Sequence, residues 1–391
     1  MTITDVGNLF MFAGGLGMFL YGMHSMSGGI QKTAGNKMKE LLGILTSNHF
    51  MAVVVGALVT AIIQSSGATT VMVVGFVNAG IMTLTQAVGV IMGANIGTCI
   101  TAWIVSLGQL GDAFKAFSPS LYAPLLVGIG AFLIMFSKRA KKQTVGEILV
   151  GLGLLFIGLD FMGDAAGDYL HLPIFTRAFE LFGSNPILGI LIGVIVTAIM
   201  QSSSAAVGVL QTLAAAGGVV TASSAMYISL GSNIGSCCTA LLSSLGESRN
   251  AKRSAVIHLT FNVLGALVWG SGLFVLFQFR PAFGTMGIDS VGISVFHTIF
   301  NLVCTVLMTP LRGKLVALSG LLVKGGDEQE QAEQSDDAIT LRHLDDRILE
   351  TPSFAVENAI LEVVHMGHIA NENMERAFEA VMNYDKEKIE Q

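Results

Sequence analysis

Two short polar stretches sit inside long apolar runs. Gln64-Ser65-Ser66-Gly67 lies near the middle of a run from about residue 50 to 82, and Gln201-Ser202-Ser203-Ser204 near the middle of another from about 187 to 219. Thr60-Ala61-Ile62-Ile63 precedes the first and Thr197-Ala198-Ile199-Met200 the second. Downstream come Gly93-Ala94-Asn95-Ile96-Gly97-Thr98 and Gly231-Ser232-Asn233-Ile234-Gly235-Ser236. The copies are 137 residues apart at the first element and 138 at the second, so one inserted residue reconciles them. A helix that starts after each polar turn presents unsatisfied N–H groups and its positive dipole end. The hydroxyls of Ser65, Ser66, Ser202, Ser203 and Ser204 add donors, which makes an anion-binding device. The preceding half-helices end in free carbonyls, and a break at Asn95 and at Asn233 exposes more. Those oxygens, with Thr98, Ser232, Ser236 and Thr239, suit a small hard cation such as sodium.

The lengths say what must hold these groups. Each apolar run has about 33 residues, between the ~20 of one span and the ~40 of two. Each half reaches only ~20 Å, short of a hydrocarbon core ~30 Å thick. A re-entrant hairpin of two half-helices with the polar turn at its tip resolves the mismatch. Such a tip is tolerated at depth inside protein or beside water. Two broken elements in corresponding halves point to a secondary-transporter binding site.

Of 391 residues 52% are hydrophobic and 12% charged, which excludes a soluble domain and predicts an all-α polytopic membrane protein. There is no basic stripe with interleaved aromatics, so no nucleic-acid partner is expected. Cys99, Cys237, Cys238 and Cys304 all fall in apolar segments, so neither a disulfide framework nor a transition-metal site is expected. No Lys or Arg precedes Lys32, so the first apolar segment lacks a signal peptide's charged start and should remain. The lipid bilayer is the obligatory partner, and a homodimer is open to such a chain.

Seven full spans are expected, over about 9–30, 84–107, 121–136, from 147, 224–245, 256–279 and 291–308, with the two hairpins between them. Gly93 and Gly97 should break or unwind the second. Basic clusters (Lys32 to Lys39, Lys138 to Lys142, Arg249 to Arg253, Arg312 and Lys314) fit one topology, N-terminus outside and C-terminus in the cytoplasm. An odd number of spans then separates the repeats, which inverts one against the other. The domains read as residues 1–142 and 143–323 in the membrane, a polar acidic linker over 324–337, and a cytoplasmic helical segment over 338–391 that starts near Thr351-Pro352-Ser353. It stops in Asp385-Lys386-Glu387-Lys388 with no capping signal, so a longer natural protein is expected.

A lone Gln-Ser-Ser in a membrane helix is ordinarily hydrogen-bonding glue; two copies in matching positions favour a site. His258-x-x-Phe261-Asn262 and His297-x-x-Phe300-Asn301 divide evenly between function and helix–helix bonding. His24 and Asp160, at matching repeat positions, read as wetted span ends. The cysteines read as small packing residues.

The paired motifs resemble the type II sodium–phosphate cotransporter family, over about residues 9–310. The resemblance implies inorganic phosphate between Gln64-Ser65-Ser66-Gly67 and Gln201-Ser202-Ser203-Ser204. It implies sodium as coupling ion, held by Ser232, Ser236 and Thr239 with Gln109 and Asp112, because Gln109-Leu110-Gly111-Asp112 resembles the family's Gln-Ile-Gly-Asp. Asn95, Thr98 and Asn233 complete the expected sodium residues, and no other cofactor is expected. Gly67 stands where the family has a third serine, and the His-x-x-Phe-Asn segment after the first broken span is absent. The tail, through Leu344-Asp345-Asp346-Arg347 and Thr351-Pro352 with Ala355, resembles a PhoU-like domain, which implies a bacterial inner-membrane protein. The expected function is phosphate import by alternating access. Alternatives are sodium-coupled transport of another oxyanion or a carboxylate, and a phosphate-sensing receptor. Intramembrane serine proteolysis is disfavoured, since the serines are duplicated and the histidines pair with asparagines.

Overall fold

The computed structural model describes residues 3–43, 48–78, 82–108, 119–170, 172–217, 219–323 and 352–383. It opens with α1 (Ile3–Gly43), the short pair α2 (His49–Ile63) and α3 (Ser66–Asn78), and α4 (Leu84–Gly108). Then come α5 (Pro119–Phe136), α6 (Ala140–Leu170), α7 (Pro173–Ser184) and a second short pair, α8 (Pro186–Met200) and α9 (Ser203–Gly217). α10 (Ala222–Gly235) runs into α11 (Cys237–Ser243), followed by α12 (Arg249–Phe279), the short α13 (Pro281–Thr285), α14 (Ser290–Met308) and α15 (Arg312–Leu322). These belong to one compact unit, and α16 (Pro352–Asn383) belongs to a second that starts at residue 325.

Among the described residues six stretches are long and apolar enough to cross a membrane: within α1, α4, α6, the α10–α11 run, α12, and α14 through α15. Counting α7 and α8 as one crossing, bent by 115° at Asn185, makes seven. The chain is therefore a polytopic membrane protein. The expected span over 121–136 is only a short apolar helix, Leu121–Phe136, of ~24 Å. α7 was not foreseen. Pro173 starts it, and its Phe179 is buried while Leu181 is half exposed.

The expected break at Asn95 is absent, because α4 is one unbroken helix of 25 residues. Gly93 and Gly97 lie against α2. A Cβ at Gly93 would stand 2.0 Å from the Val53 carbonyl oxygen, and one at Gly97 2.5 Å from that of Ala57. These glycines let two backbones touch, as small residues do between membrane helices. Gly231 and Gly235 do the same between α10 and α8, with Cβ positions 1.9 Å from the Ile190 oxygen and 2.6 Å from the Val194 oxygen. Only here does the helix stop, for one residue at Ser236. The Ser236 hydroxyl bonds the carbonyl three residues back, on Asn233, at 2.7 Å. Its counterpart Thr98 bonds four back, to Ala94, at 3.1 Å, which keeps the helical register.

α1 and α6 also meet through glycine. A Cβ on Gly15 would be 2.9 Å from the Gly158 oxygen, and one on Gly22 would be 2.6 Å from the Gly151 oxygen. As the number rises along one helix it falls along the other, so the pair is antiparallel.

Gly231→Ala should therefore overpack two backbones, at ~1–3 kcal/mol, and lower the melting temperature of detergent-purified protein by several degrees. Gly128→Ala, whose Cβ meets nothing within 4 Å, should leave it unchanged or raise it slightly; equal losses at both positions would contradict the close α8–α10 contact.

Candidate functional site at the twin helix breaks

α2 ends at Ile63 and α8 at Met200. The next residue takes the left-handed conformation each time, Gln64 at φ 58°, ψ 24° and Gln201 at φ 52°, ψ 23°. Among the described residues these are the only non-glycine residues with positive φ. Such a backbone costs ~1–3 kcal/mol and persists where its surroundings hold it. A serine then caps the next helix. The Ser65 hydroxyl accepts from the Ala68 amide at 3.1 Å, and the Ser202 hydroxyl from the Ala205 amide at 3.2 Å. The amides of Ser66, Gly67, Ser203 and Ser204 lie in the first turns of α3 and α9, where no intrahelical acceptor exists. Ser66, Ser203 and Ser204 are buried, while Ser65, Gly67 and Ser202 are half-buried.

The chain doubles back at the first break. The Thr60 and Thr69 hydroxyls bond at 3.0 Å, although nine residues of straight helix span ~13 Å. In the second copy Ala206 replaces Thr69, and the buried Thr197 hydroxyl has no partner. The first tip is pinned at its carbonyls. Ser27 donates to the Ile63 oxygen, and Gln64 Nε2 to the Ala61 oxygen. Thr101 Oγ1 donates to Gln64 Oε1 at 3.0 Å. Thr101 matches Thr239 at the repeat offset of 138, and only that offset could have pointed to it. Thr239 lies beside the first tip, its Oγ1 3.6 Å from a Cβ on Gly67, buried and without a hydrogen-bond partner. Gln201 is exposed.

The two asparagines are tied to the histidine motifs. Asn95 Nδ2 donates to Asn262 Oδ1 at 2.8 Å, and Asn262 Nδ2 reaches Cys237 Sγ at 3.3 Å. Asn233 Nδ2 donates to Asn301 Oδ1 at 2.7 Å, and Asn301 Nδ2 lies 3.6 Å from Cys99 Sγ. Cys99 and Cys237 each follow their asparagine by four residues. Each bridging asparagine thus joins the Asn of one copy to the Cys of the other. His297 Nε2 lies 3.1 Å from Asn233 Oδ1, whereas both ring nitrogens of His258 lack partners.

The hydroxyls of Thr98, Ser232 and Ser236 donate to backbone carbonyls of Ala94, Ser229 and Asn233, leaving oxygen lone pairs available to a cation. Gln109 and Asp112 lie outside the described residues. Asp160 and Asp164 lie on α6, where they line a cavity of ≈ 360 Å³ with Thr212 of α9. At the tips, then, amides and hydroxyls can donate to an anion, and the Thr239 oxygen lies beside the first of them. No Lys or Arg occurs between Glu40 and Phe114 or between Arg177 and Ser248.

The chain is a polytopic helical membrane protein with two matching polar breaks between short helices. The chain belongs to the Na+/Pi-cotransporter family, whose profile matches residues 18–164 and 171–311. It is 29% identical over 362 residues to the "Putative inorganic phosphate export protein YjbB" of Salmonella typhimurium, covering 92% of this chain and 62% of that protein. It therefore spans under two thirds of that relative's length. It is 29% identical over 311 residues to the "Uncharacterized protein YqeW" of Bacillus subtilis, covering 78% of this chain and 95% of that protein. Over 109 residues it is 37% identical to the human "Sodium-dependent phosphate transport protein 2B", 27% of this chain and 16% of that one. No solved structure matches the chain.

The asparagine bridge is open to a double-mutant cycle. Asn95→Ala and Asn262→Ala should each destabilise purified protein, and the double variant should lose less than the sum by ~0.6 kcal/mol, at most ~1.7. Strict additivity of the melting free energies would mean the bond contributes nothing.

Proposed function

We propose that the chain is a sodium-coupled phosphate transporter working by alternating access, with the anion held between the two Gln-Ser-Ser tips. The observation that carries this reading is the twin geometry. Both tips have a left-handed glutamine, a capping serine and a fresh helix N-terminus in a stretch without cationic side chains. Phosphate at neutral pH carries one to two charges, and each helix end supplies only ~0.5. A desolvated anion needs more than that, and bound sodium supplies it. The sodium ligands on this reading are oxygens of Thr98, Ser232, Ser236 and Thr239 near Asn95 and Asn233, with Gln109 and Asp112.

Inverted repeats are supported by reciprocal contacts. Gly15 meets Gly158 while Gly22 meets Gly151, and the Asn–Asn–Cys bridges exchange copies in the same way. Residue pairs that swap partners mark a two-fold relation. Between antiparallel helices its axis lies across them, as inverted topology requires. The repeats are residues 1–142 and 143–323, with the pairs α2–α3 and α8–α9 as re-entrant hairpins. The basic clusters favour an external N-terminus and a cytoplasmic C-terminal unit in a bacterial inner membrane. That unit, after the linker at 324–337, is read as PhoU-like from its sequence, since the family match ends at residue 311.

The net direction follows the summed gradients. An inward sodium gradient drives import, and the Salmonella relative is named for export, so both directions belong in the test. Proteoliposomes with an inward sodium gradient should accumulate radiolabelled phosphate, and preloaded vesicles should release it when the gradient is reversed. Equal flux in choline would exclude coupling. In calorimetric titrations, replacing sodium by choline should weaken phosphate binding ~5–150-fold, the range of ordinary linkage. Equal affinity in the two salts would show that the site neutralises its anion unaided.

A further inference from the structure

The two tips share a backbone but differ in one side-chain state. At the first, the Gln64 carboxamide is held at both ends, Oε1 accepting from Thr101 and Nε2 donating one N–H to the Ala61 oxygen. At the second, Gln201 is exposed, and Thr239, the repeat partner of Thr101, keeps a buried hydroxyl with no partner. A buried unsatisfied hydroxyl costs more than a hydrogen bond returns, so a state that fills it has a driving force. The exposure pattern is complementary around the turns. Ala68 is exposed and Ala205, its counterpart, is buried. The histidines divide likewise, with His297 bonded to Asn233 and His258 unpartnered.

We infer that Thr101 and Thr239 are positioning residues that dock the tip glutamines alternately. When Gln64 is docked on Thr101, Gln201 is free. In the opposite state Gln201 docks on Thr239 and Gln64 is released. A docked carboxamide has one of its two N–H donors committed to a backbone carbonyl and its orientation fixed, so the free glutamine is the one able to turn both donors toward an anion. This deepens the reading of the tips as the phosphate site and rests on it for the role of the free carboxamide. The exchange itself needs neither ligand. Both threonines sit where the second arm of one hairpin meets a span of the other repeat: Val74 of α3 packs with Ala240 of α11, and Val207 of α9 with Ala102 of α4. They can therefore report the position of one hairpin to the other.

The test is thiol accessibility in full-length protein in proteoliposomes, in choline without sodium or phosphate, with cysteines placed by Ala68→Cys or Ala205→Cys. Thr101→Val removes the latch of the state described here. It should lower labelling at position 68 and raise it at 205, changing their ratio about fivefold, the worth of one neutral hydrogen bond. Thr239→Val should change the ratio the other way by a similar factor, and the double variant should return it toward the parent. Thr101→Ser, which keeps the hydroxyl, should behave as the parent. Shifts in the same direction for both valine variants, or no shift, would overturn the alternating latch. Failure of sodium-dependent flux with the reciprocal shifts intact would count against the transport reading alone.

Discussion

The controlling constraint is a helix that must end inside an apolar layer. Its last carbonyls and the next helix's first amides cannot turn to lipid. At both breaks the chain answers with a glutamine in the left-handed region and a serine that caps the following helix. Some groups are satisfied locally, while two amides per tip have no intrahelical acceptor; on the proposed reading these receive the anion. Much of the surrounding packing follows. Glycines on α4 and α10 bring those helices onto α2 and α8 at backbone contact. Ser27 of α1 closes the carbonyl end of α2.

Cohesion in the polar centre comes from neutral amides rather than ion pairs. Lys32–Glu147, the salt bridge found among the described residues, joins two partly exposed side chains. At depth the links are Asn95–Asn262 and Asn233–Asn301. An amide bridge satisfies donor and acceptor without the desolvation cost of a charge. It also leaves the local field unbalanced for a guest ion, so a phosphate has nothing resident to neutralise it. On the proposed reading, coupling to a cation then follows from what the tips lack as much as from what they hold.

Much of this was legible from residue types and spacing. The mid-run breaks at Gln64 and Gln201 follow from run lengths too long for one span and too short for two, and the helices do end there. The glycine pattern misled at Asn95. Gly93 and Gly97 permit unwinding, but they equally permit close packing, and α2 lay near enough to use them so. Only the second copy stops, where Ser236 rather than Thr98 diverts the hydrogen bonding. The His-x-x-Phe-Asn pairs stood out as polar anomalies, but which asparagine each would meet depends on how spans far apart in sequence cross. Thr101 drew no notice because a threonine within an apolar helix ordinarily bonds its own backbone. Only the three-dimensional contact with Gln64 separates it from the rest.

The repeated scaffold bears on how such a cycle could be balanced. If one state is converted into the other by exchanging equivalent contacts between repeats, most of the interaction energy cancels between them. What remains comes from positions where the copies differ, among them Thr69 against Ala206, Gly67 against Ser204, and Thr98 against Ser236. Each is worth about one hydrogen bond, ~1 kcal/mol, and they need not share a sign. A residual bias of that size leaves the minor state populated at the per cent level or above. Sodium and phosphate then need only modest differential affinity to move the equilibrium. A scaffold with one strongly preferred conformation would instead require binding energy to force each turnover. The duplicated, unequal tips therefore do two jobs: their likeness keeps the states close in energy, and their differences set which one is seen at rest.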